Sequence, residues 1–84
     1  MENIYGLQIR RIERTCSACP SQWEGEMVDG RSVYIRYRWG RLTVGIGNNI
    51  DEAIDSVVFD LDYGDLFDGA MNLDEVLDLT GMIM

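Results

Sequence analysis

Apolar and polar residues alternate along the first half of the chain and recur at wider, helix-like spacing in the second. The alternation is clearest over residues 31–39, where Val33, Ile35, Tyr37 and Trp39 interleave with Tyr34, Arg36 and Arg38. A period of two is what a strand with one buried face requires. Ile4, Leu7, Ile9 and Ile12, set among Gln8, Arg10, Arg11 and Glu13, predict an earlier strand, followed by a tight turn at CSACP, residues 16–20. Residues 23–28 predict a second strand, and Leu42, Val44 and Ile46 form one face of a fourth. Between them, Asp29-Gly30 and Gly40-Arg41 carry hairpin-turn chemistry.

Register follows from the same period, because a slip of one residue turns every side chain to the other face. A two-residue turn at Gly40-Arg41 sets Trp39 opposite Leu42, Tyr37 opposite Val44 and Ile35 opposite Ile46, all apolar pairs. A two-residue turn at Asp29-Gly30 would set Val33 against Glu26. A three-residue loop over residues 29–31 instead pairs Met27 with Val33, Gly25 with Ile35 and Trp23 with Tyr37, with Glu24 opposite Arg36. The expected core face is Trp23, Met27, Val33, Ile35, Tyr37, Trp39, Leu42, Val44 and Ile46. The outer face carries Glu24, Glu26, Tyr34, Arg36, Arg38 and Thr43.

Beyond Gly45, Gly47, Asn48 and Asn49 the period changes. Ile54, Val57, Val58 and Leu61 predict a helix that begins near Asp51 and stops by Gly64, with Asp51, Glu52 and Asp55 at the positive end of its dipole. Asn72 reads as the N-cap of a second helix, Leu73–Thr80, with Glu75 completing a capping box and Gly81 as its stop. The expected architecture is α+β: one domain over residues 1–84, made of a four-stranded antiparallel meander (residues 1–47) and two short acidic helices packed on one face (residues 48–84).

Charge sharpens this division. The chain has 15 acidic residues against 7 basic ones, a net charge of −8. All the basic residues are arginines between Arg10 and Arg41, while residues 43–84 hold ten acids and no Lys, Arg or His. Such a balance disfavours direct binding to DNA, RNA or anionic lipid. Apolar runs of three or four residues are far too short to span a bilayer, and the first residues do not resemble a signal peptide, so a cytoplasmic, non-membrane protein is expected.

Asp51, Glu52, Asp55, Asp60, Asp62, Asp65, Asp68, Asp74, Glu75 and Asp78 are the candidate partner-binding residues. Two readings compete. In one they are the wet sides of amphipathic helices. In the other they form an array without interspersed cations, held near the backbone on short side chains, which can enter a Lys/Arg groove built for phosphates. Tyr34, Arg36 and Arg38 are a candidate second surface, since Arg and Tyr are enriched at protein interfaces.

Cys16 and Cys19 read as structural thiols, a zinc half-site or a redox pair. Zinc needs four ligands and the chain has no His, so a zinc site would need carboxylates or a second copy of the chain, as in a homodimer. No other cofactor is indicated. Residues 64–75 match the second half of a calcium loop through Asp68, Gly69 and Glu75, but place Gly64 and Leu66 where oxygen ligands belong. Without His, and with no serine in a triad-like spacing, an enzyme is not expected.

Residues 16–47 resemble a pattern in small uncharacterised proteins of phages and other bacterial mobile elements: CxxCPxQWEG, then DGR, then YxRYRxG. The resemblance implies a context in which small acidic proteins include anti-CRISPR proteins and other inhibitors of host defence. The expected function is binding and inhibition of a basic, nucleic-acid-handling host protein through mimicry of nucleic acid. The alternatives are a metal-binding or structural module built on Cys16 and Cys19, and a minor phage structural or assembly protein.

Overall fold

Two hairpins set the frame of the sheet. In the computed structural model, which describes residues 4–16, 21–64 and 71–84, strand β1 spans Ile9–Cys16, β2 Ser21–Met27, β3 Ser32–Arg38 and β4 Arg41–Gly47. Met27 N–H donates to the Arg31 carbonyl at 2.7 Å and Gly30 has a φ of 92°, which makes residues 28–30 a three-residue loop with glycine in the left-handed position. The loop is one residue earlier than expected. Trp23 therefore faces Ile35, Gly25 faces Val33 and Glu24 faces Tyr34.

The second hairpin moves in the same sense. Arg38 pairs with Arg41, Tyr37 with Leu42, Ile35 with Val44 and Val33 with Ile46. The turn residues are Trp39 and Gly40, with φ of 54° and 73°. Positive φ at both central residues is the mark of a type I′ turn, whose twist matches that of the strands it joins. Each register differs from the expected one by two residues in pairing, so side chains keep their faces. The exception is Trp39, expected in the core and found in the turn with 63% of its surface exposed.

The first strand starts later than its apolar pattern predicts. Ile4 is buried ahead of β1, and residues 5–6 form a turn. Gly6 N–H donates to the Gly81 carbonyl, and Gln8 forms a parallel bridge with Ile83, so the C-terminal residues close the start of β1.

The expected long first helix is shorter. Helix α1 covers Ile50–Asp55, and the chain then becomes a fifth strand, β5, over Val57–Asp62. The sheet has the order β1-β2-β3-β4-β5, antiparallel throughout. Val57, Val58 and Phe59 favour strand, and Phe59 and Leu61 alternate with Asp60 and Asp62. The decisive gain is pairing: β5 satisfies the backbone groups along the free edge of β4.

The two helices do not share a face. Helix α2, Leu73–Thr80, matches its expected span, from the Asn72 N-cap to Gly81, a left-handed C-cap with φ of 77°. Its Val76 joins Met71, Met82, Ile4, Ile9, Trp23, Met27, Val33, Ile35, Tyr37, Leu42, Val44 and Ile46 in one buried cluster. Helix α1 lies across the opposite, outer face. Gly45 and Gly47 alternate with the buried Val44 and Ile46, and a Cβ on either would overlap α1 backbone at Ala53. Ala53 is the buried residue of α1 and stands outside that core cluster. The missing side chains at Gly45 and Gly47 are the seat that draws α1 to this side.

Candidate functional site

The outer face has two chemically different ends. At one end lies α1, capped by Asn49, whose side chain accepts from Glu52 N–H at 2.9 Å while the Glu52 carboxylate accepts from Asn48 N–H at 3.0 Å. Asp51, Glu52 and Asp55 are exposed there, and no basic residue stands in the last turn. Farther toward the Gly40 turn, Asp60 and Asp62 on β5 point to the same face, opposite Thr43 and Arg41. The carboxylates of Asp51, Glu52, Asp55 and Asp62 make no ion pair among the described residues.

Asp60 differs. Its carboxylate takes the Arg41 guanidinium in a two-pronged contact, Nε to Oδ1 at 2.7 Å and Nη2 to Oδ2. That hydrogen bonding holds the Asp60 carboxyl below the usual aspartate range. Asp29 is lowered in the same way, first by the Arg31 backbone N–H and then by the Arg31 guanidinium at 2.8 Å.

Asp74, Glu75 and Asp78 ride on α2, across the sheet from α1. The ten carboxylates are therefore not one array. Asp51, Glu52 and Asp55 stand together on α1, and Asp60 and Asp62 share that face but lie toward the Gly40 turn, opposite Thr43 and Arg41. Asp74, Glu75 and Asp78 do not join them, and Asp65 and Asp68 lie outside the described residues, as does most of the calcium-loop pattern.

At the other end of the outer face, Arg36, Arg38, Trp39, Arg41 and Thr43 line a cleft of about 210 Å³. The Arg38 guanidinium sits 4.3 Å from the centre of the Trp39 ring, within cation–π range. Arg36 Nε is buried with no hydrogen-bond partner among the described residues. Of the expected second surface, Arg36 and Arg38 meet in this cleft. Tyr34 stands farther along β3, where its hydroxyl donates to Gln22 Oε1 at 2.9 Å. Sequence reasoning missed Trp39, Arg41 and Thr43 as part of this site. The available signal was Gly40, which suits the second position of an I′ turn and so places Trp39 in the first.

Cys16 ends β1 and is half-buried, and Cys19 lies outside the described residues. Among the described residues no three Cys, Asp or Glu gather as a metal site. No helix among them is long and apolar enough to cross a membrane. No protein-family model matches the chain, and no curated protein or solved structure matches it either.

Proposed function

We propose that this chain is a non-enzymatic binding protein that inhibits a basic, nucleic-acid-handling protein of a bacterial host, in the manner of an anti-CRISPR protein, by holding carboxylates in its phosphate-binding groove. The observation that carries the reading is the position of Asp51, Glu52, Asp55 and Asp62 on one face, exposed and without ion pairs among the described residues. Helix α1 is short, but its N-cap and its glycine seat fix its carboxylates relative to β4. A fixed set of like charges loses little freedom on binding and steers association with a partner of opposite sign. The resemblance of residues 16–47 to proteins of mobile elements supports the biological setting.

The test is capture of partners from nuclease-treated bacterial lysate by three tagged chains. These are the native chain, the triple variant Asp51→Lys, Asp55→Lys and Asp62→Lys, and the double variant Asp74→Lys and Asp78→Lys. The native chain and the α2 variant are expected to retain a nucleic-acid-binding protein, identified by mass spectrometry and released by added DNA or RNA. The triple variant is expected to lose it. Equal capture by the triple variant, confirmed folded by circular dichroism, would exclude mimicry through α1 and β5.

A further inference from the structure

Three local rules are broken at one end of the β3–β4 hairpin, and they are broken together. First, Trp39 occupies the left-handed region with φ of 54°, a conformation that suits Gly, Asn or Asp and strains a bulky side chain. Its ring gains little burial in return, being 63% exposed. Second, Arg38 stands directly opposite Arg41, and like charges facing each other across strands oppose pairing. Third, Arg36 keeps a buried Nε with no acceptor among the described residues. Neither Arg36 nor Arg38 has a carboxylate partner among the described residues, in a chain whose acids outnumber its bases 15 to 7. Departures from local consistency that converge on one cleft point to a ligand that the cleft serves.

The chemistry of the lining specifies that ligand. Arg36 and Arg38 alternate along β3 on the same face, about 7 Å apart along the strand, with Thr43 and Arg41 opposite them. Asp60 pairs with Arg41, and Asp62 stands across from Arg41 on the same face. Arg36, Arg38 and Arg41 against Asp60 and Asp62 thus leave this end of the face one net positive charge, with Arg36 and Arg38 the guanidiniums that no carboxylate engages among the described residues. Two guanidiniums supply the forked donors that phosphate oxygens accept from. The exposed Trp39 indole adds a flat surface for a planar group. A polyanion would meet the net charge of −8, but a single anion at the hairpin tip feels mainly the groups within a Debye length of it.

The geometry points to this cleft as a binding site for one phosphate monoester borne by a molecule with a planar ring. Arg36 and Arg38 hold the phosphate oxygens, and Trp39 stacks on the ring. Such a group occurs in a mononucleotide and in a phosphotyrosine side chain. The site uses none of the α1 carboxylates, and Asp62, opposite Arg41, is the one residue of the mimicry proposal that adjoins it. Every variant tested below keeps Asp62, so the two proposals fail separately.

Nitrogen–proton correlation spectra test it, because the indole N–H signals of exposed Trp39 and buried Trp23 report separately. Titration with inorganic phosphate is expected to move the Trp39 signal saturably and leave that of Trp23 in place. Phenyl phosphate is expected to bind about tenfold tighter, the increment of one aromatic stack. AMP and phosphotyrosine, added in turn, assign the source by which binds tighter. Two variants separate binding from folding. Trp39→Asn, which keeps I′ turn chemistry, should lose the tenfold increment, read from backbone signals of β3. The double variant Arg36→Gln and Arg38→Gln should lose all saturable binding while retaining a dispersed spectrum; if it fails to fold, Arg38→Gln alone should weaken phosphate by about tenfold. No saturable shift at Trp39 with any of the four phosphates, or unchanged binding in the folded arginine variants, overturns the proposal.

Discussion

At the scale of single residues, Trp39 is where local preference and observed conformation part. Strand alternation puts it with Val33, Ile35 and Tyr37 on the core face, and the I′ turn places it in solvent. Replacing it with Asn puts the residue best suited to the first position of an Asn-Gly turn where the backbone demands positive φ. Relief of left-handed strain is worth about 1–2 kcal/mol. The lost Arg38–Trp39 stacking costs about 0.5–1 kcal/mol. Trp39→Asn should therefore stabilise the protein by roughly 0.5–1 kcal/mol, raising the thermal midpoint by about 4 °C. A fall in the midpoint on calorimetry would mean that Trp39 is held by packing and not for a ligand.

Asp60 supplies a pH dependence whose sign follows from its partner. Hydrogen bonding to Arg41 lowers its carboxyl in the folded protein, so folding favours the ionised form. Its contribution is complete above the ordinary aspartate range and is lost as the pH falls through the lowered folded value. Urea midpoints of the native chain and Asp60→Asn should differ at neutral pH and converge as the pH falls below the ordinary aspartate range and through the lowered folded value. The pair is partly solvent-exposed, so the difference is modest and shrinks with salt. A gap that stays constant with pH would show that the substitution disturbs β5 in some other way.

At the scale of elements, the surprise is residues 57–62. VVFDLD fits two periods: Val57, Val58 and Leu61 continue the helical stripe from Ile54, and Phe59 and Leu61 alternate with aspartates as a strand does. Local pattern cannot choose between them. The open edge of β4 chooses, because a strand there satisfies a row of backbone donors and acceptors that a helix would leave to water. Helix α1 then has to end at Asp55 and fold back over Gly45 and Gly47. The seat is tight, so Gly45→Ala should cost about 3 kcal/mol in chemical denaturation, since its Cβ meets the fixed carbonyl of Ala53 and not a movable side chain. Gly30→Ala, with nothing near its Cβ but a φ of 92°, should cost only about 1 kcal/mol. Equal costs would place α1 elsewhere than on Gly45.

At the scale of the whole molecule, the sheet sorts the charges. An acidic second half suggests a single acidic surface, but the sheet stands between Asp51, Glu52 and Asp55 on α1 and Asp74, Glu75 and Asp78 on α2. Packed layers lie about 10 Å apart, and here the sheet is a third layer between the two helices, so a rigid groove meets one set or the other. This separation is why charge reversal on α1 and β5 is expected to act where reversal on α2 does not. The outer face is also polar along its length, with Arg36, Arg38 and Trp39 at one end and the α1 carboxylates at the other.

The sequence by itself determined the features that depend on near neighbours. The buried face of β2, β3 and β4 follows from a period of two, which survives a register shift of two residues unchanged. Helix α2 follows from Asn72, Glu75 and Gly81, whose capping contacts close within a few residues. Only the tertiary structure decided the fifth strand, the face on which α1 lies and the company Trp39 keeps. Each of these depends on a partner distant along the chain: the edge of β4 for β5, the missing side chains of Gly45 and Gly47 for α1, and the two-residue turn that closes β3 onto β4 for Trp39. Periodicity names the face a residue prefers, whereas the backbone groups left unpaired after folding decide which segment must cover them.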